Sequence, residues 1–183
     1  MRVLPVVAAA SLSAALFVSA ASAAGILSGV DGMTSTVMQR GQSSFSGLAM
    51  RARLHPASLS SQIEILPTVE YWRNSSSVEA YNIHSSRSDA TLGVAGRFVF
   101  ETHGWQPYVG MGLGLHFLSE EVEAAALGVP KAETSNVKGG VSFLGGLAIP
   151  LTQRVDNFFE LNFHDLPGSS QLKLNFGLSY NLR

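Results

Sequence analysis

The chain has 183 residues, a formal net charge of −1 and only 14% charged residues. So small a charge argues against an electrostatic nucleic-acid role or a polybasic hold on a membrane surface. The absence of cysteine excludes a disulfide framework, while 18 glycines and 46% hydrophobic residues suit an all-β protein whose outer surface need not be hydrated.

Met1 and Arg2 precede an apolar run over 3–18 that is broken only by Pro5, Ser11 and Ser13, and Ala21-Ser22-Ala23 follows as an A-x-A site. The pattern predicts a secretory signal peptide over 1–23, too short and wrongly flanked for a transmembrane helix. The mature domain is then expected to span 24–183, long enough for a single core.

Segment 25–40 alternates poorly, because Gly29, Asp31, Gly32 and several hydroxyl residues interrupt it. It is nevertheless the place where a first strand is required, the alternative being a short plug or a lid. Strands are expected at 43–54, 62–72, 90–100, 106–118, 136–149, 157–164 and 171–182, where apolar residues recur at every second position. The last of these sets Leu172, Leu174, Phe176, Leu178 and Tyr180 against Lys173, Asn175, Gly177 and Ser179. Short connections at 55–58, 101–104 and 150–154 alternate with longer polar ones at 73–89, 119–135 and 165–170. Such alternation of short turns and long loops is how outer-membrane barrels divide their two sides.

Sorting by parity gives one face without charge: Leu48, Met50, Leu54, Ile63, Ile65, Val69, Tyr71, Leu92, Val94, Phe98, Phe100, Val109, Met111, Leu113, Leu115, Phe117, Val141, Phe143, Leu147, Ile149, Phe159, Leu161 and Phe163. The other face carries Arg51, Arg53, Glu64, Glu70, Arg97, His116, Lys138, Glu160, His164 and Lys173 among glycines. In a soluble sandwich these charges would face water. In a small barrel they point inward and must be paired, and we expect them to form a lumen polar network. Tyr71, Trp72, Trp105, Tyr108 and Tyr180 are expected near the membrane interfaces.

The leader, the stretch Gln106-Pro-Tyr-Val-Gly-Met-Gly-Leu-Gly-Leu-His116 after a tight turn, and the amphipathic last strand resemble the small outer-membrane β-barrel superfamily. That superfamily includes the membrane domain of outer membrane protein A and the opacity-type surface antigens. The resemblance covers the mature chain and implies an eight-stranded antiparallel up-and-down barrel, monomeric, with both termini periplasmic. It implies outer-membrane lipids, lipopolysaccharide and the barrel-insertion machinery as partners, and a structural, envelope-integrity or surface-interaction role through loops 73–89 and 119–135. The chain departs from the family at Tyr180-Asn181-Leu182-Arg183, where a terminal aromatic residue is usual.

No catalytic, cofactor or metal site is expected. Gly110-Met-Gly112-Leu-Gly114 has glycines at period two with no helix after them, unlike a dinucleotide loop. Five histidines lie far apart without ligand spacing. Lipid A deacylases, which are also small barrels, carry an H-x-S pair on a late strand; here His164 is followed by Asp165 and Leu166, so the serine is missing. A deacylase-like activity, a narrow channel, a carrier of hydrophobic small molecules and a soluble lipocalin-like binder are the alternatives.

Overall fold

The computed structural model describes residues 26–39, 44–78, 83–124 and 129–182. The expected signal peptide over 1–23 lies outside them. Eight strands follow in chain order: β1 (Leu27–Gln39), β2 (Phe45–Leu54), β3 (Ile63–Val78), β4 (Ile83–Val99), β5 (Gln106–Ala124), β6 (Val129–Pro150), β7 (Val155–Leu166) and β8 (Ser169–Asn181). Each pairs antiparallel with its sequence neighbour, and β1 closes on β8. The fold is a closed all-antiparallel up-and-down barrel, so no strand edge is left unpaired around the body.

Alternation decides the faces. Leu48, Met50, Val109, Met111, Leu113, Leu115, Phe143 and Phe176 are exposed on the outside. Asp31, Arg51, Arg97, His116, Glu160 and Lys173 are buried inside. A lipocalin-like arrangement, with the apolar set within, is therefore overturned. Leu54, expected outside, is instead buried with Leu27 and Ala52 at the end where β1 begins and β2 finishes. Leu27 is its direct ladder partner there, and the β1–β2 register shifts between Leu27 and Gly29.

The segment around 25–40 does form β1, despite its weak pattern. Its inward positions, Asp31, Met33, Ser35 and Val37, are buried, whereas Gly32, Thr34 and Thr36 face outward. Thr34 turns its hydroxyl back to the carbonyl of Phe176 at 3.3 Å, which satisfies a polar group on an apolar face.

The expected long loops are mostly strand. β3 to β6 run for 16, 17, 19 and 22 residues, against 13, 10, 12 and 13 for β1, β2, β7 and β8. Crossing the hydrocarbon takes roughly 9–11 residues. The surplus is a four-stranded wall rising beyond the barrel body, laddered from Arg73↔Ser88 to Val78↔Ile83 and from Ser88↔Ser119 to Ile83↔Ala124. Hydrophobic alternation fades there because water wets both faces, while the backbone ladder continues. Likewise 165–170 is a tight hairpin: Pro167 and Gly168, with φ of 77°, supply the fixed and positive φ values of a type II turn.

Inner glycines make room for rings as well as for charges. A Cβ on Gly146 would lie 2.5 Å from the Tyr108 ring, and one on Gly177 would lie 2.6 Å from Phe158. Gly146→Val is therefore expected to displace Tyr108 and lower stability by about 1–3 kcal/mol. The urea midpoint of the detergent-folded barrel measures this, and an unchanged midpoint would mean that both the ring and the Phe159 carbonyl, 2.6 Å from the added Cβ, give way.

Candidate functional site

The lumen is filled in layers. Towards the end that carries the turns at 55–62 and 100–105, Arg97 Nε donates to Glu64 Oε2 at 2.6 Å, and Arg53 Nη1 stands 4.0 Å from Glu64 Oε1. Next comes the central cluster. Arg51 donates from Nε to Asp31 Oδ2 at 2.5 Å and from Nη1 to Glu160 Oε2 at 2.7 Å. Arg53 Nε lies 3.0 Å from Asp31 Oδ1, a charge contact without hydrogen-bond alignment. Glu160 also accepts from the Tyr108 hydroxyl at 3.1 Å and from Asn175 Nδ2 at 3.0 Å.

Two aromatic rings floor these guanidiniums. Arg51 lies 4.7 Å over the Phe158 ring and Arg97 lies 4.6 Å over the Tyr108 ring. Higher up, Lys173 Nζ donates to Glu70 Oε1 at 2.7 Å. His116 Nδ1 faces Asp89 Oδ2 at 2.8 Å and the Thr91 hydroxyl at 2.9 Å. The His164 ring meets the His116 ring edge to face, with centroids 5.5 Å apart. Above them an apolar cap of Val37, Phe45, Trp72 and Leu118 covers the wall end.

Of the ten residues singled out in the sequence, nine lie in this column. Lys138 does not: its Nζ donates to the Pro167 carbonyl at 3.0 Å on the rim. Trp72 and Tyr108, expected at the interfaces, are 1% and 2% exposed inside the lumen. Parity explains both, since each lies one position from an outward residue, Tyr71 or Val109. The pattern missed Asp31 and Asp89, the acids that complete the charge pairing. Asp31 sits in the poorly alternating first strand, and Asp89 in a stretch whose polarity reads as loop.

What the column can do chemically is limited. A partly open cavity beside Thr91, Ser142 and His164 measures about 40 Å³, room for a water or two. No serine hydroxyl bonds either imidazole among the described residues, and Ser169 and Ser170 engage Gln39 and Asp165 instead. His164 is inside and 8% exposed, away from any acyl chain on the lipid side. Among the described residues, no group of three or more His, Asp or Glu side chains is set to hold a metal.

The wall is the other candidate surface. Arg73 and Arg87 lie on β3 and β4, and Glu120, Glu121, Lys131 and Glu133 lie on β5 and β6, with Arg87 opposite Glu120 and Glu121 opposite Glu133 in the ladder. On its outward side Arg73, Ser75, Ser77, His84, Ser86 and Glu121 border a shallow polar cleft of about 330 Å³. Below it, Leu92, Val94, Leu113, Leu115, Val141 and Pro167 border an open apolar groove of about 1050 Å³.

Solved structures share this architecture. Neisserial surface protein A superposes with a TM-score of 0.64 at 14% identity, over 86% of this chain and 97% of that one. This is the fold of the small eight-stranded outer-membrane β-barrels. A major outer membrane protein from Thermus thermophilus matches with a TM-score of 0.62 at 12% identity, over 85% of this chain and 99% of that one. Ail, the attachment invasion locus protein of Yersinia pestis, matches with a TM-score of 0.59 at 12% identity, over 86% and 99%; it has also been solved with the heparin analogue sucrose octasulfate. No family model matches the chain, and no curated protein does. At such identities the likeness to these outer-membrane barrels is one of fold and carries no ligand with it.

Proposed function

We propose that the protein is a monomeric outer-membrane barrel that serves the envelope as a sealed scaffold and meets partners through its four-stranded wall. The observation that carries this reading is the division of faces: a charge-free apolar outside around a lumen closed by ion pairs and an aromatic cap. Only lipid makes such an outside favourable, and exposed apolar area on this scale is foreign to soluble monomers. Outer-membrane lipids and lipopolysaccharide would cover it, with the open groove beside Leu113 and Val141 receiving an acyl chain.

In this reading the leader over 1–23 directs export and is removed, the insertion machinery seats the barrel, and both termini lie in the periplasm. β1 starts and β8 ends at the barrel mouth that carries the short turns, which supports that orientation. The wall then faces outward from the cell, with its polar cleft available to a partner. Loops and sheet extensions on a rigid barrel are where specificity is placed.

The absence of native cysteine makes the test direct. Ser135→Cys on the wall is expected to react with a membrane-impermeant maleimide on intact cells, and Ser58→Cys, in a turn at the opposite mouth, only after permeabilisation. Reversed labelling would overturn the orientation. A product extracted by carbonate, with the same gel mobility before and after boiling, would overturn the membrane assignment itself. Planar-bilayer conductance is expected to stay at baseline, and steady channel openings would favour the pore reading.

A further inference from the structure

We propose that the upper lumen is an acid-sensitive seal, in which one proton taken up by His164 parts its ring from His116 and admits water beneath the apolar cap. His164 points inward from β7 and His116 from β5, and both are buried. Their rings meet edge to face, at an interplanar angle of 88° with centroids 5.5 Å apart. Such a contact sets the positive edge of one ring against the negative face of the other. The pair holds together with one charged ring and repels itself with two.

The two histidines differ in what stands behind them. Asp89 Oδ2 lies 2.8 Å from His116 Nδ1, so a proton on His116 has its counter-ion in place. Among the described residues, the acids that reach this stretch of the lumen are already engaged. Glu70 on β3 holds Lys173 Nζ at 2.7 Å, Asp89 on β4 holds His116, and Glu160 on β7 holds Arg51 of β2 at 2.7 Å. The sole acid of β1, Asp31, is held by Arg51 and Arg53. Asp165, next in the chain to His164, is exposed on the other face and accepts from Ser170 Oγ at 3.0 Å. The remaining charged neighbours are bases: Lys173 on β8, two residues from the ladder partner Gln171, and Lys138 on β6, turned to the Pro167 carbonyl at the rim. A proton on His164 is therefore a buried charge without a partner, which is strongly unfavourable.

The effect reaches the cap. Leu118, the next inward residue after His116 on β5, packs in it with Val37, Phe45 and Trp72, so moving His116 moves its footing. His164 Nε2 has no hydrogen-bond partner, and the partly open cavity of about 40 Å³ beside it brings water to the ring. In an opened lumen His164 takes its proton as an ordinary imidazole does, at about pH 6.5. The closed lumen admits only the neutral ring. Closure is therefore fully stable above that pH and is lost progressively below it. Between about pH 7.5 and about pH 4.5, one such proton raises the opening equilibrium by up to roughly 100-fold. The inference rests on the closed lumen of the proposed function and not on the orientation of the barrel or a partner for its wall.

The test uses the mature, detergent-folded barrel carrying Trp105→Phe, which leaves Trp72 as its only tryptophan. Acrylamide quenching of Trp72 fluorescence is followed from neutral pH into acid. Trp72 should be shielded at neutral pH and become quenchable, reversibly, as the solution is acidified. Adding His164→Gln, with folding checked by heat-modifiable mobility, should leave Trp72 shielded throughout. In the barrel with His164 intact, the imidazole proton resonances of His164 should shift in the same step that exposes Trp72, a measurement that survives a folding defect in the variant. Trp72 quenched already at neutral pH would overturn this proposal together with the sealed lumen. With Trp72 shielded at neutral pH, three results would overturn this proposal alone: no rise in quenching in acid, an equal rise in folded His164→Gln, or a titration of His164 that leaves Trp72 shielded.

Discussion

Arg51→Met is expected to lower the stability of the folded barrel by about 3–5 kcal/mol, because it leaves buried acid groups without their shared partner. Arg51 bridges Asp31 at 2.5 Å and Glu160 at 2.7 Å, with both its own side chain and the two carboxylates almost fully covered. Asp31 retains Arg53 at 3.0 Å, while Glu160 retains only neutral donors, Tyr108 and Asn175. The loss should therefore fall mainly on Glu160. The double variant Arg51→Met/Glu160→Gln tests this: with the orphaned charge removed, much of the stability should return, giving a coupling well above the few tenths seen for independent sites. Urea unfolding in micelles, followed by gel mobility and tryptophan fluorescence, reads each variant. A loss below about 1 kcal/mol for Arg51→Met would show that water reaches the cluster and screens it.

Leu113→Arg should be nearly as damaging from the opposite face. Leu113 is 63% exposed on β5, between its ladder partners Val94 and Val141, in the middle of the apolar belt. An arginine at mid-depth on the lipid side of a barrel costs roughly 2–4 kcal/mol, falling towards zero near the interfaces. Ser135→Arg, on the same face of the sheet but up in the wall, should change stability by less than about 0.5 kcal/mol. The contrast between the two positions is the measurement. Equal effects would show that the apolar belt reaches up the wall as far as Ser135.

Much of the barrel is legible from spacing alone. In β8, Lys173, Asn175 and Ser179 alternate with Leu172, Phe176 and Tyr180, and the structure divides them between lumen and lipid. The wall is not legible in this way, because residues such as Ser75, Ser86, Glu121 and Ser135 leave no periodic trace when both faces are wet. Nor are Trp72 and Tyr108 legible as lumen residues, since aromatic chemistry suits an interface as well as a core. The structure alone joins His116 to His164, which are 48 positions apart in the chain.

For β2 to β8 the apolar side of the strand and the gathering of charged groups in a shared interior follow from the linear pattern, whereas β1, with Gly32, Thr34 and Thr36 outward, does not. Burial imposes a period of two, and a period of two survives in a string of residues. Which acid meets which base, how far the strands climb and what caps the lumen emerge only on folding. Those depend on strand register and barrel closure, which bring β1 beside β8 and set Asp31, Arg51 and Glu160 in one cluster from three separate strands. No local pattern encodes a distance across a closed cylinder.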